Sequence, residues 1–375
     1  MNTRCIQSSK SSVLGTFYAL TSHQGSNFRE EALQLLQEYE AVAGGEANDL
    51  MLRFHLSDVT QQADELIDLL GERNSFISIV GQAPANGARI ALEAWCGHGH
   101  FDKILNKDEC GLSMKACWRD YSMIFMKSLR LNLVDKRGGS HEQMEEEWQK
   151  LDAQLSNYGA ELVENVHRTW IYCRDIDHHY QGLVEARNSW FDRKGLTSDT
   201  HFIASTGIEG NMQESSRLVG MDSWALLGTS PEQIIYMTAE KFLSPTHIYG
   251  VSFERGTRIV FGNGSLYFIS GTASIDAMGE ILHEGDVRRQ TRRAIENIRA
   301  LMENHEGALH DLTLACVYLR NASDVDIVSD EINNSPLAMV PKLILKAPVC
   351  RPGWLVEIDA IGANSVGDSR FSPLR

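Results

Sequence analysis

Near the C-terminus, in KAPVCRPGWLVEIDAIG (residues 346–362), two carboxylates interrupt an otherwise apolar run. Side chains of a strand alternate faces, so Val356, Ile358 and Ala360 point one way and Glu357 and Asp359 the other. Cys350 precedes them across a tight turn. Two acids and a thiol are costly to bury without partners. Partial burial and the like charge of Asp359 would both raise the pKa of Glu357. A carboxylic acid that holds its proton near neutral pH can act as a general acid.

The elements that must position this strand recur along the chain. Residues 83–95, APANGARIALEAW, and 347–361, APVCRPGWLVEIDAI, both begin Ala-Pro, turn on a glycine and end as an apolar strand carrying an acid. Aligning Gly87 with Gly353 places Glu93 on Asp359 and Ala91 on Glu357, and the later copy has a longer loop. A weaker version spans residues 200–228. Upstream of each lie a helix, a strand and a second helix in the same order, as in FREEALQLLQEYEAVAG, DLMLRFHLSDV and TQQADELIDLL. RIVFGNGSLYFIS adds a hairpin whose Asn263-Gly264 suits a primed turn. The pattern predicts an α+β chain of three related units in a pseudo-threefold arrangement. Their expected bounds are 1–117, 118–228 and 229–375.

Composition narrows the function. At 375 residues with 43% hydrophobic and 23% charged residues, the chain is long and apolar enough for several cores. There is no apolar run of membrane-spanning length, and MNTRCIQSSKSS lacks the apolar core of a secretory signal. Seven cysteines, an odd number, suit reduced thiols and a cytoplasmic location. The net charge of −15 disfavours nucleic acid and means that an anionic substrate must be met by local arginines. The one basic cluster, DVRRQTRRAIENIR, reads as an amphipathic helix with a solvated basic face. Cys96, His98, His100 and Cys110 fit no common zinc spacing, so no metal is expected there. No G-x-S-x-G elbow and no phosphate loop occur.

The stretch YFISGTASIDAMGEILHEGDVRRQTRRAIENIRALMENHEGALHDLTLACVYLRNASD, followed by VCRPGWLVEIDAIG, closely resembles the Rid/YjgF family of small trimeric proteins. The resemblance is strong over residues 251–363, weaker over 125–228, and rests on element order over 15–100. Two features depart from the deaminases of that family. Lys342 stands where they carry an arginine, and three units are fused here. ASTGIEG, SFERGT and VCR..WLVEIDA in this order are similar to the chorismatases.

That resemblance implies a cofactor-free enzyme that removes the enolpyruvyl group of chorismate as pyruvate. It implies a site between the central and C-terminal units, with Glu357 protonating the enolpyruvyl methylene. Cys350 and Gly256 mark the branch that makes 3-hydroxybenzoate, the alternatives being a related hydroxybenzoate or a dihydrodiol. Chorismate is a dianion, for which bidentate arginines are natural partners. Arg187 and Arg320 come first as anchors, with Arg174 and Arg255 behind them. Tyr249 and Thr206 are candidate hydrogen-bonding groups. Fusion implies a monomer that binds a small molecule and no membrane. An enamine or imine deaminase and a non-catalytic ligand-binding protein are the competing readings.

Overall fold

Three β-sheets are each built by the same route through the chain, in a computed structural model that describes residues 5–44, 48–129, 131–132 and 138–375. The first comprises β1 (Ile6–Ser12), β2 (Gly15–Thr21), β3 (Asp49–Leu56), β4 (Phe76–Gly81) and β6 (Ile90–Cys96), with α1 (Phe28–Ala43) and α2 (Val59–Leu70). Its order is β1-β2-β6-β3-β4. The two-residue β5 (Ala83–Pro84) leaves this sheet to pair with the third.

The second sheet holds β7 (Asp102–Lys107), β8 (Leu112–Cys117), β9 (Ser122–Lys127), β10 (Val166–Cys173), β11 (Ala204–Glu209) and β12 (Val219–Leu227). Its helices are α3 (Ser140–Ser156), the short α4 (Leu162–Asn165) and α5 (Ile176–Lys194). The third contains β13 (Ile234–Tyr236), β14 (Gly256–Phe261), β15 (Gly264–Ala273), β16 (Leu312–Leu319), β17 (Lys342–Lys346) and β18 (Val356–Asn364). Its helices are α6 (Val287–Glu303) and α7 (Val325–Asn333). In every sheet one parallel pair (β3/β4, β10/β11, β16/β17) is bridged by a helix, as a parallel crossover requires.

Two sequence expectations are corrected. Residues 102–117 were placed in the first unit, but β7 and β8 pair onward to β9 in the second sheet. The boundary therefore falls before Asp102 rather than at 118. The β14–β15 hairpin turns on Gly262 and Asn263, because Phe261 pairs with Gly264. The basic helix is as anticipated. α6 buries Val287, Ala294, Ile298 and Leu301, while Arg288 and Arg292 on its solvated side meet Glu331 of α7.

Each sheet is covered on one face by its own helices. The opposite faces share a core in which Trp95 stacks on Trp224, and Trp224 lies 4.8 Å from Phe268. The central strands are thus buried on both sides, and charged residues among them must be paired. Arg53 donates to Glu93 and to Asp222, each at 2.8 Å, and Arg168 donates to Asp359 at 2.7 Å. The Trp170 ring lies close to both guanidinium groups, 4.3 Å from Arg53 and 4.6 Å from Arg168. One acid from each sheet, Glu93, Asp222 and Asp359, joins this network. His55, Glu93 and Cys316 come within 4.8 Å of one another, but Arg53 and His55 already hold the same Glu93 oxygen. A guanidinium cation therefore stands where a metal ion would need that ligand.

Candidate active site

Glu357 opens the site from the second position of β18, where Ala273 of β15 and Tyr318 of β16 flank it. Its carboxyl is 5% exposed and fits against Gly271, where a Cβ would collide with it. The β15 strand bulges at that point, its register shifting between Ile269 and Thr272. Burial, then the negative charge of Asp359, pushes the Glu357 pKa up to about 8, against the opposing pull of Arg255 and Arg168. At neutral pH this acid keeps its proton.

Around it lies a cavity between the second and third sheets. Tyr180 and Arg187 reach it from α5, Ser205 and Gly207 from β11, and Cys350, Arg351 and Trp354 from the turn before β18. Tyr249, Phe253 and Arg255 close it from the segment before β14. The cavity volume is only about 40 Å³, so side chains must shift to admit a ring-sized ligand.

The charges are arranged for an anion. Arg187 is 1% exposed, and its Nε and Nη2 have no hydrogen-bond partner among the described residues. A buried guanidinium left with open donors is suited to receive a carboxylate. The Arg351 guanidinium lies 4.7 Å from the Tyr249 ring and 5.0 Å from that of Trp354. Arg255 spends Nε and Nη2 on the Ser244 carbonyl and lies 5.4 Å from the rings of Tyr249 and Phe253. Burial, then the charge of Glu357, pushes the Cys350 thiol up to about 12, with a hydrogen bond from Tyr180 opposing. Cys350 is thus a neutral thiol.

Of the sequence candidates, Glu357, Cys350, Arg187, Arg255 and Tyr249 meet on this cavity. Four others do not. Arg320 forms a fork to Asp177 at 2.8 and 3.0 Å and donates to the carbonyls of Val349 and Trp354. Arg174 donates to the carbonyls of Arg217 and Met212. Both sit at strand ends, where open carbonyls of nearby turns capture them. Gly256 is packed against Phe268 and Met237 inside the third sheet. Thr206 lies behind the cavity: its hydroxyl donates to Asp359 at 2.8 Å and accepts from Gly271 N–H and Arg168. It holds the acid beside Glu357 rather than facing a ligand. Lys342 also lies elsewhere, its amine donating to three carbonyls of the turn before β17.

Tyr180, Arg351 and Trp354 were missed. Arg351 and Trp354 stand in the same CRPGW turn as Cys350, so that turn itself was the available signal. Tyr180 had none, because only the packing of α5 against the turn brings it there. The Cys96–Cys110 cluster is dispersed into local contacts. Cys96 hydrogen-bonds with Tyr39 and Asp49, and His98 with Thr16.

Comparison with known proteins places this architecture. Residues 257–364 match the family described as Endoribonuclease L-PSP. A RutC family protein of Pyrococcus abyssi (strain GE5 / Orsay) is 33% identical over 103 residues, 26% of this chain and 78% of that protein. The chain belongs to the RutC family, a branch of the Rid/YjgF superfamily. Its fold over nearly the whole length is that of a chorismatase, whose crystal structure superposes with a TM-score of 0.68 at 18% identity, covering 93% of this chain and 99% of that one. A 3-hydroxybenzoate synthase of Streptomyces hygroscopicus is 28% identical over 226 residues, 52% of this chain and 63% of that enzyme. No helix among the described residues is long and apolar enough to cross a membrane.

Proposed function

We propose that the chain converts chorismate to 3-hydroxybenzoate and pyruvate. The observation that carries the reading is a buried carboxyl, Glu357, still protonated at neutral pH and sharing its cavity with an unpartnered buried arginine. The named relatives and the chorismatase-like fold support the choice of substrate.

In this reading Arg187 and Arg351 each receive one of the two substrate carboxylates, and Arg255 shapes the wall behind them. Glu357 gives its proton to the terminal methylene of the enolpyruvyl group, making an oxocarbenium ion at the ether carbon. The deprotonated Glu357 then sits beside that cation and stabilises it. The bond between the ring and the ether oxygen then breaks and the side chain departs as pyruvate, while the neighbouring ring hydroxyl bridges to the carbon it leaves. Opening of that bridge and loss of the ring proton to the Glu357 carboxylate make the ring aromatic and restore the acid. The two products together contain the atoms of the substrate, so no water is consumed overall. Cys350, a neutral thiol beside Glu357, lines the ring side of the cavity and directs which ring carbon keeps the hydroxyl.

The same reading takes the three sheets as three Rid-like units about a pseudo-threefold axis, fused so that one chain supplies what a trimer would otherwise assemble. The thrice-repeated strand order and the joint network of Glu93, Asp222 and Asp359 support it. The decisive experiment incubates the purified chain with chorismate, quantifies pyruvate and identifies the aromatic product. Equimolar pyruvate and 3-hydroxybenzoate are expected. No pyruvate would end the proposal, and pyruvate with another ring product would overturn the assigned branch.

A further inference from the structure

A second cleft lies between the first and second sheets, bounded by α2 and β4 on one side and by β9 and β12 on the other. It occupies the place in that interface which the Glu357 cavity occupies in the next. In the later cavity, α5 and β11 of the second sheet face β15 and β18 of the third. This cleft is the roomier of the two, with a volume of about 440 Å³.

The two places differ in charge at matching positions. In the third sheet, Glu357 stands two residues before Asp359, and Ser270 and Gly271 lie across from Asp359 at the β15 bulge. In the second sheet, Gly220 stands two residues before Asp222, and the residue paired with Asp222 is Lys127. The acid has become a glycine, and the glycine strand has gained a lysine. The Cβ position of Gly220 is taken by the Met212 thioether, so the cleft holds no proton donor there.

Lys127 is the cation this cleft can offer. Its amine makes no hydrogen bond or ion pair among the described residues, and its Nζ lies 6.0 Å from the Phe76 ring. Burial lowers its pKa to about 8, against the pull of Asp222, so it remains mostly charged at neutral pH. Arg217, the other cation on the wall, is already committed to Glu147 and to Ser128. Asp222 is taken by Arg53. Asp64 and Glu214 stand at the exposed edge and disfavour a second negative charge on a ligand. The α2 wall is apolar through Val59, Ala63 and Ile67, and Ile67 is 48% exposed.

We propose that this cleft is a second, non-catalytic binding site for a small monocarboxylic acid with an apolar body, its carboxylate on Lys127 and its body against α2. The proposal does not depend on the reaction assigned to the first cavity. Calorimetric titration of the full chain with benzoate tests it, using Lys127→Met, Ile67→Glu and, to remove both carboxylate anchors assigned to the first cavity, Arg187→Met together with Arg351→Met. Benzoate should still bind that double variant, and adding either cleft substitution should weaken that binding at least about tenfold, as expected for a lost buried charge pair. Lys127→Met and Ile67→Glu alone should keep the circular-dichroism spectrum and the cooperative thermal transition of the parent chain, which verifies the fold. Because Ile67 is exposed, its variant stands even where Lys127→Met fails to fold. Benzoate binding that vanishes with the first-cavity double variant alone, or that neither cleft substitution alters in it, overturns the proposal.

Discussion

Raising the pH titrates the proton that the proposed reaction transfers. With its pKa at about 8, Glu357 is about 90% protonated at pH 7, whereas at the ordinary carboxyl value of 4.5 it would be roughly 0.3% protonated. Its surroundings thus raise the supply of the acid form by roughly 300-fold. The sign follows directly. The raised pKa keeps the acid competent below about 8, and competence is lost as pH rises through that value. For pyruvate release, kcat/KM should be level between about pH 6 and 7, half-maximal near 8, and down about tenfold at pH 9. Because kcat/KM reports the free enzyme, this limb belongs to the unliganded site, and bound dianion should move the limb in kcat higher. Acid-quenched aliquots, with pyruvate quantified afterwards, keep the measurement independent of any coupling enzyme at alkaline pH. Lys127 titrates in the same range, so the limb should persist in Lys127→Met. A level profile to pH 9.5, or the same limb in Glu357→Gln, would refute the assignment of Glu357 as the acid.

Glu357→Gln keeps the shape but carries no transferable proton, so kcat should fall about 10² to 10⁴-fold with KM little changed; steady-state kinetics decide it. Cys350→Ala should retain substantial pyruvate release and alter the aromatic product, and chromatography showing an unchanged product would return the thiol to packing. Light scattering should give the mass of a single chain, 42.0 kDa, and a trimer mass would contradict the fused arrangement.

Period and repetition made much of this legible. Glu357 and Asp359 share a strand face whatever surrounds them, and the Ala-Pro copies carried the element order through the chain. The α6 helix announced itself through its apolar spacing. What stayed hidden depended on burial of both sheet faces. In LMLRFHL and VHRTWIYC, Arg53 and Arg168 read as outward-facing strand residues, yet both are 1% exposed because the outward face is the shared centre. An arginine in each of two matching apolar strands was the available signal. Arg320 and Arg174 misled for the opposite reason: a place where the internal strands end said nothing about the carbonyls waiting there. The Asp102–Cys117 hairpin was placed with the first unit because the expected boundary cut the short turn after Cys117, across which β8 pairs with β9.

Two residues before the acid of each sheet stand Ala91, Gly220 and Glu357. In an assembly of identical subunits, one codon would dictate all three of these positions, and any substitution would be written at every interface simultaneously. A single polypeptide frees each position to be inherited separately. A proton donor at one seam is then compatible with a lysine at the next. The last seam is stitched shut by β5 pairing with β17. In the proposed pseudo-threefold arrangement, a symmetry that would impose one chemistry three times becomes a template from which this chain departs at chosen places.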